Sequence, residues 1–441
     1  MKKFHIFLLV ILGALTYAQP KDEFKPEIKV GATVFTGWEF NVDNAEFISK
    51  LDTNNPDASV PFGYLPAKNQ FEVSKNSFFL ERAYINVMAS LTPDLSARVT
   101  PDVYSFTDGA GKTQYEMSIK FAYLNYVPFK SDNGMSLGFT LGLTYNNWTT
   151  AAEKYWGYRG FAKTFTDYTF TTSAVRSGST VARTLSSYFP TADLGFQINF
   201  TAPKGIAELQ AAVLNGNGNR NLSFDNRFKD VFLTAFIHPL QPSLNKKMES
   251  LKKQGKDRLN GITDLTFGGF AYIGKIDKGE NYVPGAVQYE RKRFGGMAHL
   301  RLNFKKAGFV NIGGEYSVQS NVDPGTPVTD KVETSPKGFS AYLEFNPPVA
   351  SINEKLMLVL RYDSFDPDIP EPVTISSTPQ FNSSNAKQQL LIGGLAFKPN
   401  KLLILAASYQ SIMYEDNFVV KYDGTITKTD GKLILHGILN F

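Results

Sequence analysis

The chain has no cysteine and, beyond its N-terminal segment, no long apolar run. Without cysteine there is no disulfide framework and no lipid-anchored N-terminal cysteine. No stretch supplies the roughly 20 apolar residues that a membrane-spanning helix needs, and the mean hydropathy is only −0.21. Charge is nearly balanced, with 46 basic against 41 acidic residues, so nothing indicates a nucleic acid partner. Aromatic residues, in contrast, make up 14% of the chain.

The N-terminal segment is predicted to be a secretory signal peptide, residues 1–18. Lys2 and Lys3 give a basic start, residues 4–15 form a short apolar run, and small residues before Gln19 offer a cleavage site. Export without a lipid anchor favours the outer membrane of a Gram-negative bacterium. Residues 19–441 are then the predicted mature chain.

The C-terminal residues 431–441 alternate with a period of two. Apolar Leu433, Leu435 and Leu439 share one face, while Lys432 and His436 lie on the other. Such a strand suits a wall between lipid and a watery interior. The final Phe resembles the signal read by the barrel assembly machinery, which is therefore a predicted partner during biogenesis, with outer-membrane lipid and lipopolysaccharide as the surroundings.

The same alternation predicts sixteen strands and an all-β fold, a 16-stranded antiparallel transmembrane β-barrel. The predicted spans are 27–38, 77–90, 93–104, 113–126, 135–148, 190–200, 205–215, 228–238, 262–274, 292–304, 308–320, 337–346, 355–365, 387–397, 401–413 and 431–441. Short and long connections alternate, which predicts short periplasmic turns and long extracellular loops.

Two connections stand out. The 41-residue connection 149–189 is rich in Arg, Lys and Tyr, and it is the candidate constriction loop; the alternative is an external lid with solvated charges. The connection 239–261 is a predicted periplasmic insertion with a Lys-rich stretch that suggests a short amphipathic helix. No role is assigned to this helix.

Alternation and loop position together give the candidate pore-lining and selectivity residues. Guanidinium and ammonium groups are suited to binding anions that lose part of their hydration. Inward acidic residues such as Asp102, Glu315 and Asp363 accompany them, so pairing across strands is an equal alternative. The candidates are Arg82, Arg98, Lys120, Arg159, Arg176, Arg183, Arg293, Arg301 and Arg361.

Short motifs carry a family resemblance. The segments 79–86 (FLERAYIN), 91–102 (LTPDLSARVTPD), 119–124 (IKFAYL) and 192–195 (ADLG) resemble the phosphate-selective porin O and P family, and the Asn, Phe and Tyr content suggests its Bacteroidota branch. The resemblance implies a 16-stranded porin that forms trimers and passes anions through a constriction lined by Arg and Lys. Arg82, Arg98 and Lys120 occupy matching motif positions. The dense arginine ladder of the family is not evident here, so the substrate does not carry over.

Catalytic and metal motifs are missing. The mature chain has three histidines without metal-binding spacing, and it has no GxSxG elbow or P-loop. The sequence therefore predicts a non-enzymatic porin without cofactor or metal, a water-filled channel for small hydrophilic solutes and for anions such as phosphate. Two alternatives stay open: an outer-membrane barrel enzyme, lipase or protease, and a closed barrel whose loops bind a partner.

Overall fold

A computed structural model describes most of the chain as strand. The described residues are 24–42, 45–47, 76–107, 113–167, 170–176, 179–185, 189–219, 228–256, 258–277, 288–324, 331–352, 355–366, 387–414, 419–421 and 426–441. The predicted signal peptide lies outside them.

Sixteen long strands build the molecule because apolar and polar residues alternate along each of them. Their bounds are β1 Glu27–Asn41, β2 Asn76–Ser90, β3 Leu95–Thr107, β4 Thr113–Lys130, β5 Ser136–Tyr145, β6 Ala192–Thr201, β7 Ala207–Leu214, β8 Asp230–Ile237, β9 Gly261–Asp277, β10 Gln288–Asn303, β11 Phe309–Pro324, β12 Lys337–Asn346, β13 Leu356–Asp366, β14 Gln388–Phe397, β15 Leu403–Tyr414 and β16 Thr429–Asn440. The short strand Lys331–Thr334 extends the pairing of β12 with β11.

The strands close into one antiparallel barrel. Each pairs with the strands before and after it in the chain, and β16 pairs with β1 through contacts such as Val34 with Leu439 and Trp38 with Leu435. The predicted fold class is therefore confirmed, and most predicted spans agree with the strands to within a few residues. One span is wrong at its end: the strand predicted over 135–148 stops at Tyr145, and a helix follows.

The outer face of the barrel is apolar and exposed. On β13, Leu358 and Leu360 are 37% and 43% exposed, while Met357 and Val359 between them are buried. Leu433, Leu435 and Leu439 on β16 are likewise exposed. Tyr145, the last residue of β5, instead lines an interior cavity and packs against Tyr123 with ring centroids 5.6 Å apart.

Helices and small strands occupy the connections. The described connections contain two α-helices, α1, Asn147–Trp156, and α2, Gln241–Lys253, the latter within the insertion where a helix was predicted. No helix in the described part of the chain is long and apolar enough to cross a membrane. The remaining elements are the 3-10 helices Phe165–Asp167, Pro203–Gly205 and Ala350–Ile352, the hairpin Phe170–Arg176 with Ser179–Leu185, and a small sheet of Ala45–Phe47, Val419–Lys421 and Ile426–Thr427.

Candidate functional site

The connection after β5 begins with a capped helix. The Asn146 side chain accepts a hydrogen bond from the Thr149 backbone N–H at 3.0 Å, which satisfies a donor that the first helical turn leaves free. Gly157 ends α1 in the left-handed conformation, at φ 66°, which glycine adopts without steric cost. These caps fix α1 directly after the strand, so the chain turns instead of continuing β5.

Residues 146–167, the inner segment, pack against the inside of the barrel. Trp148 is fully buried, with its ring 4.5 Å from the Phe270 ring and 5.8 Å from the Phe236 ring. The Tyr155 ring stacks on His299 at 4.4 Å. Trp148, Tyr155 and the wall residues therefore form an aromatic contact between the helix and strands β8 to β10.

Glu315 on β11 is the polar anchor of the inner segment. Its carboxylate accepts hydrogen bonds from the Trp148 indole at 3.2 Å, the Phe165 backbone N–H at 2.9 Å and the Thr166 hydroxyl at 3.3 Å. A buried carboxylate is costly unless it is hydrogen-bonded. These three donors supply that compensation, and they hold both ends of the segment to one point of the wall.

A second anchor lies on β13. Arg361 forms a bidentate pair with Asp363, at 2.8 Å and 2.6 Å, and donates to the Lys163 carbonyl at 2.6 Å. Its guanidinium also lies 4.8 Å from the centre of the Trp156 ring. Arg361, predicted to line the pore, is therefore a buried residue that holds the inner segment in place.

The inner segment reaches β16. A Cβ added to Gly160 would lie 2.5 Å from the Ile438 Cδ1, so glycine permits this close approach. Phe161 lies nearby, with its ring 5.5 Å from that of His436. The segment therefore follows the inner wall from β8 round to β16 and leaves a cavity between itself and strands β1 to β5.

This cavity has a volume of about 710 Å³. Its wall side comes from β15, β16 and β1 to β5, and its inner side comes from the inner segment. The lining residues are Thr33, Phe35, Tyr84, Asn86, Arg98, Thr100, Lys120, Phe121, Tyr123, Tyr145, Asn147, Thr150, Glu153, Gly157, Arg159, Ile404, Ile438 and Asn440.

Arg98 and Lys120 are cations of this cavity whose hydrogen-bond partners are neutral. Arg98 donates to Thr100 at 3.0 Å and to Asn86 at 2.7 Å. Lys120 donates to the Tyr84 hydroxyl at 2.9 Å. Because no carboxylate among these partners compensates them, the two cations give the wall side of the cavity a positive charge.

Arg159 also lines the cavity, but it is paired. It forms an ion pair with Glu153 and a second with Asp167, where Nη1 and Oδ2 are 2.9 Å apart. Burial opposes the charge of the guanidinium, yet Glu153, Tyr84 and Asp167 hold its pKa well above the usual range. Arg159 therefore stays charged as part of a salt-bridge cluster.

The structure separates the other predicted residues. Arg82 pairs with Asp102 at 3.6 Å beside the Tyr84 hydroxyl. Arg293 lies over the rings of Phe189 and Tyr272, and Arg301 donates to Asn303 at 3.0 Å. None of these three lines the cavity. The side chains of Arg176 and Arg183 lie outside the described residues, so their predicted role stays a prediction.

Alternation missed the aromatic lining, above all Phe121. A β-bulge between Thr100 and Pro101 leaves Lys120 without a partner on β3 and pairs Phe121 with Thr100. The bulge brings Lys120 and Phe121 into the same cavity although they are consecutive. Proline lacks the N–H that the ladder needs and is typical of bulges. Pro101 was therefore the residue in the sequence that indicated this bulge.

A second cavity, of about 810 Å³, lies at the rim with the short turns. Helix α2 covers part of it, since Asn245 donates to the Lys204 carbonyl at 3.2 Å. The cavity's lining mixes both charges, for example Lys154 and Lys246 with Glu208 and Asp264. This cavity therefore favours neither sign. Among the described residues, no group of three or more His, Asp or Glu side chains could hold a metal ion.

Comparisons with known proteins support the fold. The sequence matches no protein-family model and no curated protein. The structure is similar to OprB of Pseudomonas putida, with a TM-score of 0.51 and 10% identity over 94% of each chain. It also resembles an anion-selective porin from Comamonas acidovorans (TM-score 0.48, 9% identity, 95% of this chain and 100% of that one) and the outer membrane channel DcaP of Acinetobacter baumannii (0.47, 13%, 96% and 100%). At these identities the likeness shows the fold alone, a closed 16-stranded barrel of the kind found in outer-membrane porins.

Proposed function

We propose that this protein is an outer-membrane porin for the passive diffusion of small hydrophilic solutes. The observation that carries the proposal is the 710 Å³ cavity beside the inner segment of a closed barrel. Sixteen strands enclose more space than wall side chains fill, and exposed apolar residues on the outer face suit contact with lipid. The inner segment, residues 146–167, overlaps the predicted constriction loop 149–189 and takes that role in this proposal.

The proposed orientation of the barrel in the membrane follows from the lengths of the connections at its two rims. Residues 1–18 are the signal peptide, the rim with short turns and the 239–261 insertion faces the periplasm, and the long loops face outward. The resemblance to the phosphate-selective porin O and P family supports a homotrimer. Lipid, lipopolysaccharide and the barrel assembly machinery are the proposed surroundings and biogenesis partners.

The proposed selectivity is a modest preference for anions. It rests on Arg98 and Lys120, whose partners are neutral, whereas Arg159 is paired with two carboxylates. Two uncompensated cations attract phosphate and chloride alike, since they do not form a dense ladder of donors around one anion. Phosphate is therefore one permeating anion among several in this proposal.

The test is the single-channel conductance of the refolded mature chain in a planar bilayer. Steady conductance steps are expected, with a zero-current potential under a KCl gradient that favours chloride. A cation-favouring potential would keep the porin and contradict the anion preference. A folded barrel without steps would contradict the porin, and would leave the closed barrel with binding loops and the barrel enzyme as the alternatives.

A further inference from the structure

The cavity wall is divided into neighbouring sectors of different chemistry. Ile404 on β15, Ile438 on β16 and Phe35 on β1 form an apolar sector. Two strands further round the barrel, Arg98 on β3 and Lys120 on β4 form the cationic sector. A solute that enters the cavity therefore meets apolar carbon on one side and positive charge on the other.

Aromatic faces support the cationic sector. The Arg98 guanidinium lies 4.6 Å from the centre of the Phe121 ring, and the Lys120 ammonium lies 4.4 Å from the centre of the Tyr84 ring. A planar guanidinium stacks favourably with aromatic rings. These contacts hold both side chains at the wall, and neither has a carboxylate among its hydrogen-bond partners.

We propose that this cavity selects organic anions in which one anionic group is attached to an aromatic ring, in preference to anions without an apolar part. The proposal rests on the porin function and names its preferred solute class. The anionic group would contact Arg98 and Lys120, and the ring would displace water from Phe35, Ile404 and Ile438. Both interactions are favourable only for a solute that carries both parts.

The dimensions agree with this class. The Tyr84 ring lies between the two sectors, with its centre 5.9 Å from the centre of the Phe35 ring and 4.4 Å from the Lys120 ammonium. The gap between the Phe35 ring and that ammonium is therefore at most about 10 Å. An aromatic ring with one anionic substituent spans that gap, whereas a hydrated inorganic anion reaches the cationic sector and leaves the apolar sector in contact with water. The volume also falls within the range of about 300–1,000 Å³ of ligand sites.

The test compares benzenesulfonate with methanesulfonate, which share a permanently ionised head group and differ in the ring. Each is added to an open channel conducting KCl, and the dwell time of its current interruptions is measured. Benzenesulfonate is expected to dwell about tenfold longer, the change that one aromatic contact produces. Isothermal titration of the detergent-solubilised barrel with both sulfonates repeats the comparison at equilibrium.

Variants separate the two sectors. Ile404→Thr is expected to shorten the benzenesulfonate dwell time alone, and Lys120→Met is expected to shorten both. Ile206→Thr, on the exposed turn between β6 and β7, is the matched control and should change neither dwell time.

Equal dwell times and equal affinities for the two sulfonates would overturn the proposal, while the KCl steps would leave the porin function intact. A barrel that gives no KCl steps contradicts the porin function, and the titration then decides whether the cavity itself prefers the ring.

Discussion

The Trp148 indole on α1 donates a hydrogen bond to the Glu315 carboxylate on β11 at 3.2 Å. This bond joins the start of the inner segment to a wall strand remote from β5 along the chain. Because the same carboxylate also accepts hydrogen bonds from Phe165 and Thr166 at the far end of the segment, one acidic side chain holds both ends of the segment. The width of the proposed channel therefore depends on this buried acceptor together with the second anchor, Arg361.

Substituting Glu315→Gln should loosen the inner segment. The amide keeps one acceptor oxygen, but its NH₂ group replaces the other and faces one or two of the three donors; hydrogen bonds to a charged group are worth about 1.5–3 kcal/mol. Acrylamide quenching of Trp148 and Trp156, which are both buried, is expected to increase. Glu290→Gln is the control, because Glu290 pairs with Lys275 and Lys292 at the rim. Equal quenching in the two variants would argue against the anchor.

Removing the inner segment should widen the channel. Replacing residues 148–188 by a short Gly-Ser linker deletes α1 and the contacts of Trp156 and Phe161 with the wall. A 16-stranded barrel without an inward segment has a wider aqueous interior, so the unitary conductance should rise several-fold and the ion preference should weaken. An unchanged conductance in the deletion variant would mean that the segment does not limit the current.

The predicted and observed strands agree where alternation alone decides the structure. Strand β12 was predicted over 337–346 and runs from Lys337 to Asn346, because a one-residue shift would turn every apolar side chain inward. The predicted end of β5 was wrong. Trp148 continues the apolar pattern of the strand, but Asn146 caps a helix, so the strand stops before it. Local helix signals in residues 147–156 were outweighed by the strand pattern before them.

The site was harder to predict than the fold. Alternation placed Arg98, Lys120 and Arg361 inward, and all three are inward. Which of them faces open space depends on where the inner segment packs, and that is decided by long-range contacts such as Arg361 with the Lys163 carbonyl. A strand pattern contains no information on such contacts, so the anchor Arg361 and the cavity residue Lys120 looked equivalent.

Arg159 is expected to act mainly on stability. Arg159→Met leaves Glu153 and Asp167 without this cation, and breaking a buried ion pair costs about 3 kcal/mol. Urea unfolding in detergent, followed by tryptophan fluorescence, should show that loss. The double variant Arg159→Met with Glu153→Gln should recover part of it, because one uncompensated carboxylate is removed. Unfolding of Arg159→Met at the wild-type urea concentration would contradict the structural role.

Lys163 should make the stability depend on pH. Burial, together with the positive charges of Arg159 and Arg82, lowers its pKa from the usual 10.5, while Asp167 and Glu81 oppose the shift. Between the lowered folded value and 10.5 the unfolded chain binds more protons, so the free energy of unfolding rises with pH in that window. Lys163→Met should lack this rise. Parallel curves for the two proteins in urea titrations at increasing pH would contradict the prediction.

Lys120 and Arg98 should carry the ion preference of the channel. Each cation lines the cavity and has neutral partners, and a unit charge contributes about 1 kcal/mol at 4 Å in water. Lys120→Met or Arg98→Met should therefore lower the chloride-to-potassium permeability ratio, by about fivefold at most, and less at high salt because ions screen the charge. Lys401→Met, on the exposed turn between β14 and β15, is the matched control and should leave the ratio unchanged. A drop of the same size in Lys401→Met would assign the preference to the overall charge of the barrel, since Lys401 does not line the cavity.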